Sequence, residues 1–155
     1  MNETPERIAS FSVDHDRILP GIYISRIDGD ITTYDLRTRI PNASDYLDDR
    51  TMHSVEHMLA TYLRSGEIGD KVIYFGPMGC RTGFYLLVRD EEPQKVLKAL
   101  KDALQRTIDH EGEIFGSTRQ ECGNYKCLSL YDAQCECSRY LRLLNRKECI
   151  DFKYY

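Results

Sequence analysis

The stretch His53-Ser54-Val55-Glu56-His57 constrains this chain more than any other. Two imidazoles four residues apart stand one above the other on a helix, because one turn takes about 3.6 residues. The neighbouring residues supply that helix. Asp48 and Asp49 offer N-terminal caps, Met52, Val55, Leu59 and Leu63 form an apolar stripe, and Gly66 closes a span expected at residues 48–65. A fold built on this segment buries one helix face and leaves the histidine side within reach of a ligand. Both rings can then reach one metal ion, with Glu56 close by and free of the duty to ligate it. Two histidines on a metal beside a carboxylate make a Lewis acid with a built-in base.

The rest of the chain supplies the partners for that helix. No repeat, linker or low-complexity segment interrupts the 155 residues, so a single domain over 1–155 is expected. The opening, to about Pro20, has no clear period and reads as an arm. Residues 21–27 and 31–40 are rich in Ile, Tyr and Thr, and Asp28-Gly29-Asp30 between them predicts a hairpin. In its second strand Tyr34, Leu36 and Ile40 share one face, and Asp35, Arg37 and Arg39 the other. Residues 72–75 and 84–88 read as buried strands joined by a glycine-rich loop. A helix is expected at 93–110 with Val96, Leu97, Leu100, Leu104 and Ile108 inward. Strand or loop follows at 111–122, then a third helix at 130–146 with Leu141 and Leu144 inward. Paired strands with collected helices predict an α+β fold, an antiparallel sheet with helices packed on one face.

Bulk properties narrow the function. The net charge of -4 argues against nucleic acid or an anionic membrane as the main partner. No basic start followed by an apolar run opens the chain, and no stretch is long enough to span a bilayer, so a cytoplasmic protein is expected. The six cysteines then read as buried thiols, metal ligands or nucleophiles ahead of disulfides.

A third ligand for the histidine pair is best sought among these thiols, since neither His15 nor His110 has a partner at ligand spacing. Cys122, followed by Gly123 and Asn124 at a turn, is the strongest candidate. Cys127, Cys135, Cys137 and Cys149 read as packing or incidental thiols, and Cys135 and Cys137 point to different faces of one helix. Cys80 stands apart in a glycine-flanked loop beside Arg81, where a thiolate could act as acid/base or nucleophile. Two other readings compete. His-x-x-Glu-His is also the inverted zinc-peptidase arrangement, although those enzymes take a carboxylate as third ligand. A non-enzymatic cysteine-rich metal-binding module is the other, but the cysteines form no paired C-x-x-C knuckles.

In order and spacing, His53-Ser54-Val55-Glu56-His57, Pro77-Met78-Gly79-Cys80-Arg81-Thr82-Gly83 and Cys122-Gly123 resemble the S-ribosylhomocysteine lyases, the LuxS family. Ser10-Phe11-Ser12-Val13-Asp14-His15 and Tyr34-Asp35-Leu36-Arg37 are similar to that family's N-terminal and substrate-binding segments. The resemblance implies cleavage of S-ribosyl-L-homocysteine to L-homocysteine and 4,5-dihydroxy-2,3-pentanedione, the autoinducer-2 precursor, by metal-assisted isomerisation and β-elimination. It implies His53, His57 and Cys122 as metal ligands, Cys80 and Glu56 as proton-transfer residues, and Ser10, His15 and Arg37 at the substrate. It further implies a homodimer with active sites at the interface and one divalent metal per subunit, Fe(II) in the cell with Zn(II) or Co(II) as substitutes. The chain departs from the pattern at Tyr74-Phe75-Gly76, where many members carry an acidic residue and a serine.

Overall fold

The computed structural model describes residues 3–155. Its strands are β1 (Gly21–Asp28), β2 (Ile31–Arg37), β3 (Val72–Pro77) and β4 (Gly83–Arg89). Its helices are α1 (Ala9–Ser12), α2 (Asp49–Arg64), α3 (Pro93–Ile108) and α4 (Leu130–Asn145). The strands form one sheet in the order β1-β2-β4-β3, antiparallel throughout. The expected α+β class holds. The β1–β2 turn is tight because Gly29 takes a left-handed φ of 62°, which a side chain would resist.

Alternation along the strands gives the sheet two faces. Ile22, Tyr34, Leu36, Phe84, Leu86 and Val88 point into the core and meet Val55, Met58, Leu59 and Leu63 of α2. Val96, Leu97, Leu100 and Leu104 of α3 and Ala133, Cys137, Tyr140, Leu141 and Leu144 of α4 complete that core. The periodicity misses Met58, which is fully buried, and Met52 of the expected stripe is only half-buried. On α3, Ile108 is likewise half-buried, and Ala99, Ala103 and Thr107 fill the contact instead.

The second strand ends earlier than its composition suggests. The N–H groups of Thr38 and Arg39 both donate to the Thr82 carbonyl at 3.0 Å, which pulls the chain out of the ladder. Ile40 is consequently exposed and no longer shares the face of Tyr34 and Leu36. Asp35 and Arg37, expected on a polar face, are buried: the arm and the C-terminal residues cover that side of the sheet. The Ile24 N–H donates to the Phe152 carbonyl at 2.8 Å, so the C-terminal segment runs along the β1 edge. The stretch 111–122 forms turns and loop and no strand.

Candidate metal centre and separate cavity

The α2 helix is held at its start by Asp48, whose side chain accepts the Thr51 N–H at 2.7 Å. One turn in, His53 and His57 meet edge to face on the side of the helix away from the core, ring centroids 4.6 Å apart. The segment after α3 folds back over them. His57 Nδ1–H donates to the Phe115 carbonyl at 2.7 Å, which leaves Nε2 bare. Gly116 permits this approach: its φ is 66°, and a Cβ there would lie 3.1 Å from His57 Nδ1.

Cys122 comes to the same place from the loop. Its Sγ lies 3.3 Å from His53 Nε2 and accepts the Asn124 N–H at 3.4 Å. One donor atom from each of His53, His57 and Cys122 falls within 4.8 Å of the others. Bonds of about 2.0–2.1 Å to nitrogen and about 2.3 Å to sulfur put tetrahedral donors roughly 3.3–3.6 Å apart. The Cys122–His53 pair, at 3.3 Å, is at that spacing, and the 4.8 Å limit brings His57 near it, a donor set suited to a small divalent ion. Burial, with the neighbouring His57 adding to it, lowers the His53 pKa against the pull of Glu56 and favours the neutral ring a metal requires. No carboxylate belongs to this donor group, and among the described residues the remaining cysteines form no cluster of their own. The peptidase arrangement and the cysteine-rich module both fail on that point.

The other expected site residues meet elsewhere. Ser10, His15, Arg37 and Cys80 line one cavity of about 290 Å³ on the outer face of the sheet, together with Asp35, Tyr85 and Tyr154. None of the three metal-type residues lines it. Cys80 is exposed at the tip of the β3–β4 connection, a turn closed by the Arg81 N–H to the Met78 carbonyl at 3.0 Å. The expected role of Arg81 beside this thiol needs correction. Arg81 takes a left-handed φ of 61°, and its guanidinium faces the Tyr46 ring. The nearby cation is Arg37, whose Nη1 lies 3.9 Å from Cys80 Sγ and donates to Thr82 Oγ1 at 2.7 Å. That leaves the Thr82 hydroxyl hydrogen free for Cys80 Sγ, 3.0 Å away.

Asp35 and Tyr154 are the residues that local sequence reasoning passed over. Asp35 receives Arg37 Nε and Nη2 at 3.1 and 2.6 Å, and the Tyr154 hydroxyl at 2.9 Å. Burial raises the Asp35 pKa against the pull of Arg37, and Asp35 in turn keeps Arg37 charged despite its burial. The alternation that joins Asp35 to Arg37 was a usable signal, and no local pattern marks Tyr154. His110 is spent on structure: Tyr62 and the Glu113 carbonyl occupy its two nitrogens. Cys137 is a packing thiol whose pKa burial pushes far up, whereas Cys135 and Cys149 are exposed. Cys127, read as incidental, is placed against His53 instead, with Sγ 2.9 Å from Nδ1.

An α+β domain in which two histidines and one cysteine converge, with no fourth protein donor in the group among the described residues, matches the three-ligand pattern of catalytic metal sites rather than the four-ligand pattern of structural ones. Comparison with known proteins narrows that class. The model of the S-Ribosylhomocysteinase (LuxS) family matches residues 8–149. The S-ribosylhomocysteine lyase of Finegoldia magna is 41% identical over 144 residues, 90% of this chain and 92% of that protein. Its counterpart in Borreliella afzelii is 38% identical over 155 residues, 96% of this chain and 99% of that one. In Clostridium beijerinckii the identity is 40% over 151 residues, 92% and 95% of the two chains. The chain belongs to the S-ribosylhomocysteinase (LuxS) family.

Proposed function

We propose that this chain is a carbon–sulfur lyase that cleaves S-ribosyl-L-homocysteine into L-homocysteine and 4,5-dihydroxy-2,3-pentanedione. The observation that carries the reading is the meeting of His53, His57 and Cys122 in a chain of this family. A thioether has no cause to break until the sugar carbonyl has moved next to the carbon adjoining the C–S carbon. Two isomerisations achieve that move, and the homocysteine thiolate then leaves β to a ketone.

His53, His57 and Cys122 would hold one divalent ion, Fe(II) in the cell with Zn(II) or Co(II) able to replace it. When bound, the ion polarises the sugar oxygens and makes the adjacent C–H more acidic. Cys80 takes and returns protons at the sugar carbons, with Arg37 and Thr82 supporting the negative charge on its sulfur. Glu56, on α2 between the two ligands, handles the hydroxyl protons and the final elimination. Each such acid–base step contributes about 10²–10⁴-fold. Ser10 and His15 bind the substrate from the arm, and Arg37 orients it with its charge held by Asp35.

Within one chain the metal residues and Cys80 open to different surroundings. A homodimer with active sites at the interface reconciles this, one protomer facing its histidines toward the partner's cavity. Exposed Ile8, Phe11, Leu19, Ile40 and Tyr46 supply apolar surface for that contact. Among the described residues no helix is long and apolar enough to cross a membrane. A cytoplasmic location is part of the proposal. The test is direct. Reduced, metal-loaded protein incubated with S-ribosylhomocysteine is expected to release free thiol, and absence of release rejects the reading.

A further inference from the structure

The three ligand side chains are fixed from outside, two of them by main-chain groups. The Phe115 carbonyl takes His57 Nδ1–H, and the Asn124 N–H supports Cys122 Sγ. The remaining outer atom is His53 Nδ1, and it faces Cys127 Sγ at 2.9 Å where such histidines ordinarily meet a carboxylate, a carbonyl or water. We propose that Cys127 is a positioning residue for the metal centre: its sulfur receives His53 Nδ1–H, fixes the tautomer with Nε2 bare, and aims that nitrogen at the ion. This rests on the metal reading above.

The segment is built to hold that sulfur in place. A 3₁₀ turn, Tyr125–Cys127, is anchored on the α2 side by the Ser129 N–H, which donates at 2.8 Å to the buried Ser54 Oγ. Ser54 directly follows His53, so the tie fixes Cys127 against the same turn of α2 that carries the ligand. Cys122 and Cys127 thereby flank the two nitrogens of one imidazole, Cys122 Sγ at Nε2 and Cys127 Sγ at Nδ1. The two ring nitrogens diverge, so an ion bound at Nε2 lies away from the Cys127 sulfur. Cys127 accordingly does not join the group of donors that lie within 4.8 Å of one another. One short segment thus carries both a ligand and the group that orients another ligand.

The test compares Cys127→Ala and Cys127→Ser with the unaltered protein, using Co(II) as the probe. Metal affinity is read by competition with a chromogenic chelator, and geometry by the visible spectrum. Cys127→Ala is expected to bind Co(II) about 10–100-fold more weakly with shifted d–d bands. Cys127→Ser, which keeps an acceptor near Nδ1, is expected to recover most of the affinity. Sulfur-to-cobalt charge-transfer intensity per bound ion stays unchanged in both variants, since only Cys122 is a thiolate ligand. Unaltered affinity and spectrum in Cys127→Ala overturn the proposal, and so does a halved charge-transfer intensity, which makes Cys127 a ligand. Failure of the unaltered protein to take up Co(II) overturns the metal reading itself.

Discussion

Cys80 and Cys122 both sit in loops, and their surroundings divide the work between them. Cys122 lies within 3.3 Å of a ring nitrogen and receives a main-chain N–H, the environment of a thiolate ligand. Cys80 is exposed, touches Thr82 and Arg37, and lines a cavity with the arm. Cys122→Ala is therefore expected to lose the metal, whereas Cys80→Ala keeps it and loses at least about 10²-fold in turnover. Metal content per protomer by atomic absorption, measured beside thiol release, checks both; loss of metal from Cys80→Ala would reverse the assignment. Tyr34 offers a residue-scale control on stability. Its ring is fully buried, its hydroxyl has no partner among the described residues, and burial with Glu92 and Glu91 nearby pushes its pKa to about 12. Tyr34→Phe removes only the orphaned oxygen, so urea unfolding is expected to show no loss and a gain of up to about 1 kcal/mol. The histidine pair was readable from sequence because helical spacing alone brings His53 to His57. The contact of Cys127 with His53 was not, since it depends on a loop crossing 74 positions of sequence to reach one ring.

At the scale of elements, α2 carries the two candidate histidine ligands, and its first turn sets their registration. Asp48 caps that turn by accepting the Thr51 N–H, and this hydrogen bond is the main reason its pKa lies below the ordinary carboxylate range. Asp48→Ala is expected to cost about 1 kcal/mol, while Asp48→Asn costs only a fraction of that. The sign of the pH effect follows from the lowered folded-state pKa. The charged cap contributes fully above the unfolded carboxylate value of about 3.9, and its contribution is lost as pH falls through the lower folded value. The stability gap between unaltered protein and Asp48→Ala, read from thermal melts, should hold near neutrality and narrow below about pH 4. A gap that widens on acidification would contradict this. Helices and the first hairpin were legible because their periods of 3.6 and 2 are local properties. The end of β2 was not: Ile40 continues the alternation, but Thr82 across the sheet captures the N–H groups of Thr38 and Arg39. The C-terminal segment was equally silent. Tyr154 stacks on Tyr23 with centroids 5.0 Å apart and reaches Asp35, contacts that only the assembled sheet creates.

For the whole molecule, the decisive feature is that one chain carries two separate residue groups: His53, His57 and Cys122 in one, and Ser10, His15, Arg37 and Cys80 around the cavity in the other. If each active site pairs the metal half of one protomer with the cavity half of its partner, two inactive variants can restore each other. In a mixed dimer of His57→Ala with Cys80→Ala, one site receives both defects. The other receives the intact metal half from the Cys80→Ala protomer and the intact Cys80 from the His57→Ala protomer. Random reassortment makes half the dimers mixed, each with one working site, so activity should return to about a quarter of the unaltered level. A site completed within a single chain gives no recovery at any mixing ratio, because every chain then carries a defect in its own site. The measurement is thiol release after the two variants are unfolded together, refolded and reloaded with metal, with each variant treated alone as the control. Recovery in the mixture and none in the controls also requires that the protein associate, so recovery would establish the proposed homodimer together with the shared site.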